Sequence, residues 1–143
     1  MHSAKAQAPS SWDRQVAALA SKVVSGAAIL PIEQDGPPQR RTSIYAQKGL
    51  SMRAAEANAL VEAIMDGKVH RDYIMVGGLQ YVLTTVSESG FYGTATSVST
   101  AGGIIMVKTQ KALVLAVYGE PVTAADAIPY VHQFADNLQA QMI

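Results

Sequence analysis

The chain has 143 residues, 49% of them hydrophobic, with eleven Lys/Arg against eleven Asp/Glu and no cysteine. That length and apolar content fit one domain with a real core. The lack of cysteine excludes disulfides, thiolate metal sites and cysteine nucleophiles, and no apolar run reaches the roughly 18 residues that would span a membrane. Residues 1–71 hold nine cations and six anions and the remainder two and five, so the halves are +3 and −3. Neither half carries a basic stripe long enough to track a phosphate backbone, which argues against nucleic acid as a partner.

Met1 to Ser10 is rich in Ala, Ser and Gln and lacks the apolar core of a secretory signal. It reads as a flexible tail, leaving 11–143 as the domain. Ser10-Ser11 can cap a helix with Asp13 in its first turn. Trp12, Val16, Leu19, Ala20 and Val23 follow at helical spacing, and Ser25-Gly26 ends the run. Ala27 to Ile32 reads as a strand. Asp35-Gly36-Pro37-Pro38 is a turn signal, and Thr42 to Gln47 returns as the second strand of a hairpin.

A second helix is expected after Ser51, with Met52, Ala55, Leu60, Val61 and Ile64 as its apolar stripe and Gly67 as its stop. From Asp72 the pattern turns to strands: Tyr73–Val76, Leu79–Val86, Phe91–Val98, Gly103–Lys108 and Ala112–Tyr118, punctuated by glycine pairs. Ala112–Tyr118 is apolar on both faces, so it needs cover on both. Thr123 is placed to cap a closing helix whose inner stripe is Ile128, Val131, Phe134, Ala135 and Leu138. Pro129 should kink the first turn of that helix or delay its start. Short connections favour antiparallel neighbours. The predicted fold is therefore α/β of the α+β type: a central, mainly antiparallel sheet of six to seven strands with helices on both faces.

Chemistry-bearing constellations are scarce. His70 and His132 have no second ligand at metal spacing. There is no G-x-S-x-G elbow, P-loop or G-x-G-x-x-G motif. Gly77-Gly78 and Gly102-Gly103 read as turns between strands, since neither opens a helix. Glu33 and Asp35 are explained by a polar hairpin tip. The residues point to no cofactor, no metal and no enzyme activity.

The stretch from Gly102 to Thr123 is the most specific part of the chain. Its Lys108-Thr109-x-x-Ala112-Leu113-Val114 and Glu120-Pro121-Val122-Thr123 resemble plant-type profilins. Ser11-Trp12, Asp35-Gly36 and Val76-Gly77-Gly78-Leu79-Gln80-Tyr81-Val82 add to a resemblance that covers Ser11 to Ile143. The resemblance implies a cytoplasmic, cytoskeleton-associated protein that binds monomeric actin on one face and proline-rich segments of actin nucleators or elongators on another. It also implies terminal helices packed side by side on one face of the sheet.

By that resemblance the proline-peptide platform falls on Trp12, Gln15, Tyr45, Asn137, Leu138 and Ile143. Polyproline segments lay flat faces on aromatic rings, and only two aromatics remain here, so peptide binding is expected to be weak or tuned to a different motif. The implied actin face is Arg71, Asp72, Gln80, Val82, Thr85, Ser97, Ser99, Val122, Thr123, Ala125, Ile128, Pro129, His132 and Gln133. Family cations are replaced by Gln80, Thr85, Ser97, Ser99 and Pro129, and a family glutamate by Gln133. Rim charges mainly set association rate and specificity, so actin binding should be less salt-sensitive than usual or directed at a divergent actin. Phosphoinositides need clustered cations; the only cluster is Arg40-Arg41, which a solvated hairpin loop explains. Two other readings stand beside this one. The first is a roadblock- or longin-type scaffold that dimerises or binds other proteins without binding actin. The second is a small-ligand domain on a similar scaffold.

Overall fold

The computed structural model describes residues 12–20, 23–32, 44–65, 73–87, 90–96, 102–110, 112–120 and 122–142. A helix over residues 12–19 (α1) leads to Gly26–Pro31 (β1) and the short Ala46–Lys48 (β2). Ala54–Met65 (α2) follows. Then come Ile74–Val76 (β3), Leu79–Val86 (β4), Gly90–Ala95 (β5), Gly102–Lys108 (β6), Ala112–Gly119 (β7) and Ala124–Met142 (α3). The seven strands form one sheet in the order β2-β1-β7-β6-β5-β4-β3, every neighbouring pair antiparallel.

The two-faced apolar pattern of β7 organises the core. Ala112, Val114 and Ala116 join Val16 and Leu19 of α1 and Ala127, Val131, Ala135 and Leu138 of α3 on one face. Leu113 and Leu115 join Ala57, Leu60 and Ile64 of α2 on the other. The expected cover on both sides of the sheet is present, and it divides as the resemblance implied. The terminal helices lie side by side: the Tyr130 hydroxyl reaches the Ala18 and Leu19 carbonyls at 3.3 and 3.2 Å.

Several boundaries differ from the sequence reading. In α1 the helical run ends at Leu19, short of the expected Val23. Among the described residues the second strand of the first hairpin covers Ala46–Lys48, while Thr42 and Ser43 of the expected strand lie outside them; Tyr45 donates its N–H to the Ile29 carbonyl at 2.9 Å but leaves the ladder. Before α2, the Gln47 side chain accepts from the Met52 N–H at 2.7 Å and donates to its carbonyl at 3.2 Å, which holds that segment non-helical. The helix therefore starts at Ala54, past Ser51, and Ala57 takes the buried place expected of Ala55, which is exposed. In α3, Pro129 does not delay the start. Helix begins at Ala124, with the Thr123 carbonyl accepting from Asp126 and Ala127, and the missing N–H at Pro129 leaves the Ala125 carbonyl without a helical partner. The expected turn at residues 35–38 and the stop at Gly67 lie outside the described residues.

Two close approaches fix the sheet near its outer edge. Gly77 and Gly78 turn β3 into β4 with φ of 61° and 84°, the left-handed pair that a two-residue hairpin requires. Glu56 of α2 accepts both of their N–H groups, at 2.9 and 3.3 Å. Gly93 of β5 packs so tightly on β4 that a Cβ there would stand 2.4 Å from the Val82 carbonyl oxygen.

Candidate functional site

α3 packs across β6 and β7, leaving the same face of β4 open. In β4, Gln80 and Thr85 are exposed and Val82 is partly exposed. Simple alternation would put Thr84, not Thr85, on the face of Gln80 and Val82. A bulge between Leu83 and Thr85 leaves Thr84 as an extra residue and sets Thr85 opposite Tyr92. Directly paired residues share a face. Tyr92 belongs to the terminal-helix side and Tyr81 and Phe91 to the α2 side. Gln80, Val82 and Thr85 thus line one surface with their cross-strand partners Met75, Thr94 and Tyr92. None of these six side chains is formally charged.

The first half of α3 borders that surface. At about 100° per residue, Ala125, Ile128, Pro129 and His132 share one flank of the helix. Ala125 and Pro129 are exposed, Ile128 and His132 partly buried, and Gln133 is exposed on the adjoining outer side. Val122 is partly buried and Thr123 exposed just before the helix, and the Thr123 hydroxyl donates to the Asp126 carboxylate at 3.3 Å. The Tyr92 hydroxyl and His132 Nε2 are hydrogen-bonded to each other across the border between β5 and α3. Their rings meet edge to face, centroids 5.8 Å apart at 71°. Arg71, Asp72, Ser97 and Ser99 lie outside the described residues.

The opposite flank of α3 faces α1, as the Tyr130 bonds show, and there the second candidate surface lies. The Trp12 and Tyr45 rings are stacked, centroids 4.3 Å apart and planes within 2°. Both pack against the core beneath the terminal helices while remaining partly exposed. Burial pushes the Tyr45 phenol above its ordinary value. Gln15 is partly buried on α1, Asn137 is exposed on α3, and Leu138 is buried in the core cluster against which both rings pack. Ile143, Arg40 and Arg41 lie outside the described residues.

Sequence reasoning missed Tyr92 and Met75. The strict alternation of Phe91-Tyr92 and Ile74-Met75-Val76, one residue buried and the next not, is the signal that could have found them. Among the described residues no group of three His, Asp or Glu could hold a metal ion, and no helix is long and apolar enough to cross a membrane.

Comparison with known proteins gives a consistent result. The Profilin family model matches residues 10–143. Profilin-A of Physarum polycephalum is 31% identical over 117 residues, covering 81% of this chain and 84% of that protein. The crystal structure of Acanthamoeba castellanii profilin II matches with a TM-score of 0.73 at 26% identity, over 92% of this chain and 99% of its own. Two solved complexes share the fold at lower identity. LokiProfilin1 with rabbit actin has a TM-score of 0.67 at 13% identity, over 90% of this chain and 93% of its own. Mouse profilin IIa with a double repeat from the FH1 domain of mDia1 has 0.64 at 12%, over 92% and 99%.

Proposed function

The chain belongs to the profilin family, and from that premise we propose that it binds monomeric actin through the open β4–β5 face and the adjoining flank of α3, and proline-rich segments through the Trp12–Tyr45 stack. It is a binding protein, not an enzyme. The observation that carries the actin reading is the continuity of that surface: β3, β4 and β5 present Met75, Gln80, Val82, Thr85 and Thr94 on one face, and Tyr92 joins that face to the α3 flank through His132. A specific interface of standard size buries about 800 Å² on each partner, which a face of several strands plus two helical turns can supply. That LokiProfilin1 is solved with rabbit actin supports the use of this fold for such a contact.

The chemistry of the face sets the character of the binding. Its strand residues are uncharged, so long-range steering is weak and affinity comes from apolar contact and hydrogen bonding. Binding one actin subunit per chain would keep that subunit from joining nuclei, while the peptide site would bring it to nucleators or elongators. The two surfaces sit on opposite flanks of α3, so one partner does not physically cover the other's site. For the peptide, the stacked rings offer flat apolar area and polar edges suited to a polyproline II segment. The mouse profilin IIa complex with FH1 repeats supports that use of the fold.

The test is spontaneous assembly of fluorescently labelled actin at increasing concentrations of this protein. Slowed nucleation that saturates at one chain per actin, with little change between low and physiological salt, is the expected result. Assembly unaffected at large excess would refute the actin reading and move function to the scaffold alternative.

A further inference from the structure

We infer that Tyr92 is a positioning residue for the actin surface, holding the His132 ring in a fixed orientation at the border between sheet and helix. This rests on the actin-binding reading above. His132 occupies the flank of α3 that borders the open sheet face, and an unrestrained imidazole there would lose rotamer freedom on binding. The ring is instead tied before any partner arrives. Its Nε2 is hydrogen-bonded to the Tyr92 hydroxyl, and the Tyr92 ring meets it edge to face.

The backbone makes room for this pair. A Cβ at Gly90 would stand 2.7 Å from the Tyr92 hydroxyl oxygen and 3.3 Å from His132 Nε2. A side chain at that position would occupy the point where the two polar atoms meet. Tyr92 also stands opposite Thr85 in the β4–β5 ladder. One residue therefore links three parts of the surface: the bulged strand through Thr85, its own strand, and the helix flank through His132. Tyr92 is itself partly buried, so it acts chiefly through the ring it holds. Ordering one side chain in advance is worth roughly three- to tenfold in affinity.

The test is a double-mutant cycle on actin-monomer affinity, with Tyr92→Phe, His132→Ala and the double variant, and Gly90→Ala as an independent way to crowd the pair. Tyr92→Phe should weaken binding roughly three- to tenfold in the wild-type background and less than about twofold when His132 is already Ala. Gly90→Ala should weaken it in the same direction. Without actin, Tyr92→Phe should shift the His132 ring nitrogen resonances, which reports loss of the bond itself. Tyr92→Phe at wild-type affinity would overturn the inference. So would an equal loss in both backgrounds, which would make Tyr92 a direct contact. A wild-type protein that binds no actin would overturn the interface reading and this role together, which distinguishes that failure from a flat cycle on a protein that does bind.

Discussion

Trp12→Ala probes fold and function at once. The indole lies parallel to the Tyr45 ring at 4.3 Å, and such stacking adds about 1 kcal/mol beyond burial. Trp12 is partly buried, so truncation exposes about 150 Å² of apolar surface, an upper bound of about 4 kcal/mol at 25 cal/mol per Å². Burial in the denatured chain lowers that to about 2.5 kcal/mol, and the first turn of α1 can relax into part of the space. The expected loss is about 3 kcal/mol, a fall in unfolding temperature of roughly 10 °C. Trp12→Tyr keeps a ring over Tyr45 and should lose less than half as much. Urea denaturation followed by far-UV circular dichroism reads the stability, and calorimetric titration with a proline-rich peptide reads the site. Stability within about 0.5 kcal/mol of wild type would mean that the stack does not hold in solution, and unchanged peptide affinity would remove Trp12 from the platform.

Gly93→Ala should be severe, roughly 3 kcal/mol or more, because its Cβ would meet the Val82 carbonyl and the Leu83 Cα, both backbone atoms; normal expression and a wild-type melting curve would contradict the tight β4–β5 approach. Glu56→Ala removes the acceptor of two N–H groups in the β3–β4 turn and should cost about 1–2 kcal/mol; hydrogen exchange at Gly77 and Gly78 should quicken, and unaltered exchange would count against the clamp. Burial raises the Tyr45, Tyr81 and Tyr118 phenols, so the native state holds these protons more tightly than the unfolded chain. Their contribution is fully present below the unfolded phenol value of about 10 and is lost as pH rises through the higher folded values. Unfolding free energy should fall above about pH 10, less steeply in Tyr81→Phe, and a flat profile to pH 11 would refute the linkage.

What was legible in the sequence is what depends on local pattern. β4 has the bounds that alternation assigns, and the two-faced apolar run of β7 foretold helices on both sides of the sheet. The misses come from contacts between distant residues. Tyr45 leaves the β2 ladder as its ring stacks on Trp12, thirty-three positions away. The bulge that turns Thr85 onto the surface is a register event between two strands, invisible in either alone. The grouping of Gln80, Val82 and Thr85 rests on family likeness, since strict alternation puts Thr85 on the other side of the sheet. Pattern marks Tyr92 only as strand, although its hydroxyl meets a histidine forty residues away.

The strand order also has a consequence for synthesis. β1 has only three-residue β2 on one side and depends on β7 on the other, pairing Gly26 with Val117 through to Pro31 with Ala112. At about 5–20 residues per second, a ribosome that has finished Pro31 works on the order of ten seconds before Ala112 exists. Throughout that interval the six buried residues of β1 have only β2 as a strand neighbour, and α1 has no α3 to lie beside. The nascent chain must stay soluble while the sheet waits for its central strand, so dependence on ribosome-associated chaperones should be greatest in that window. Neither candidate surface can form until the final helix, Ala124–Met142, has emerged.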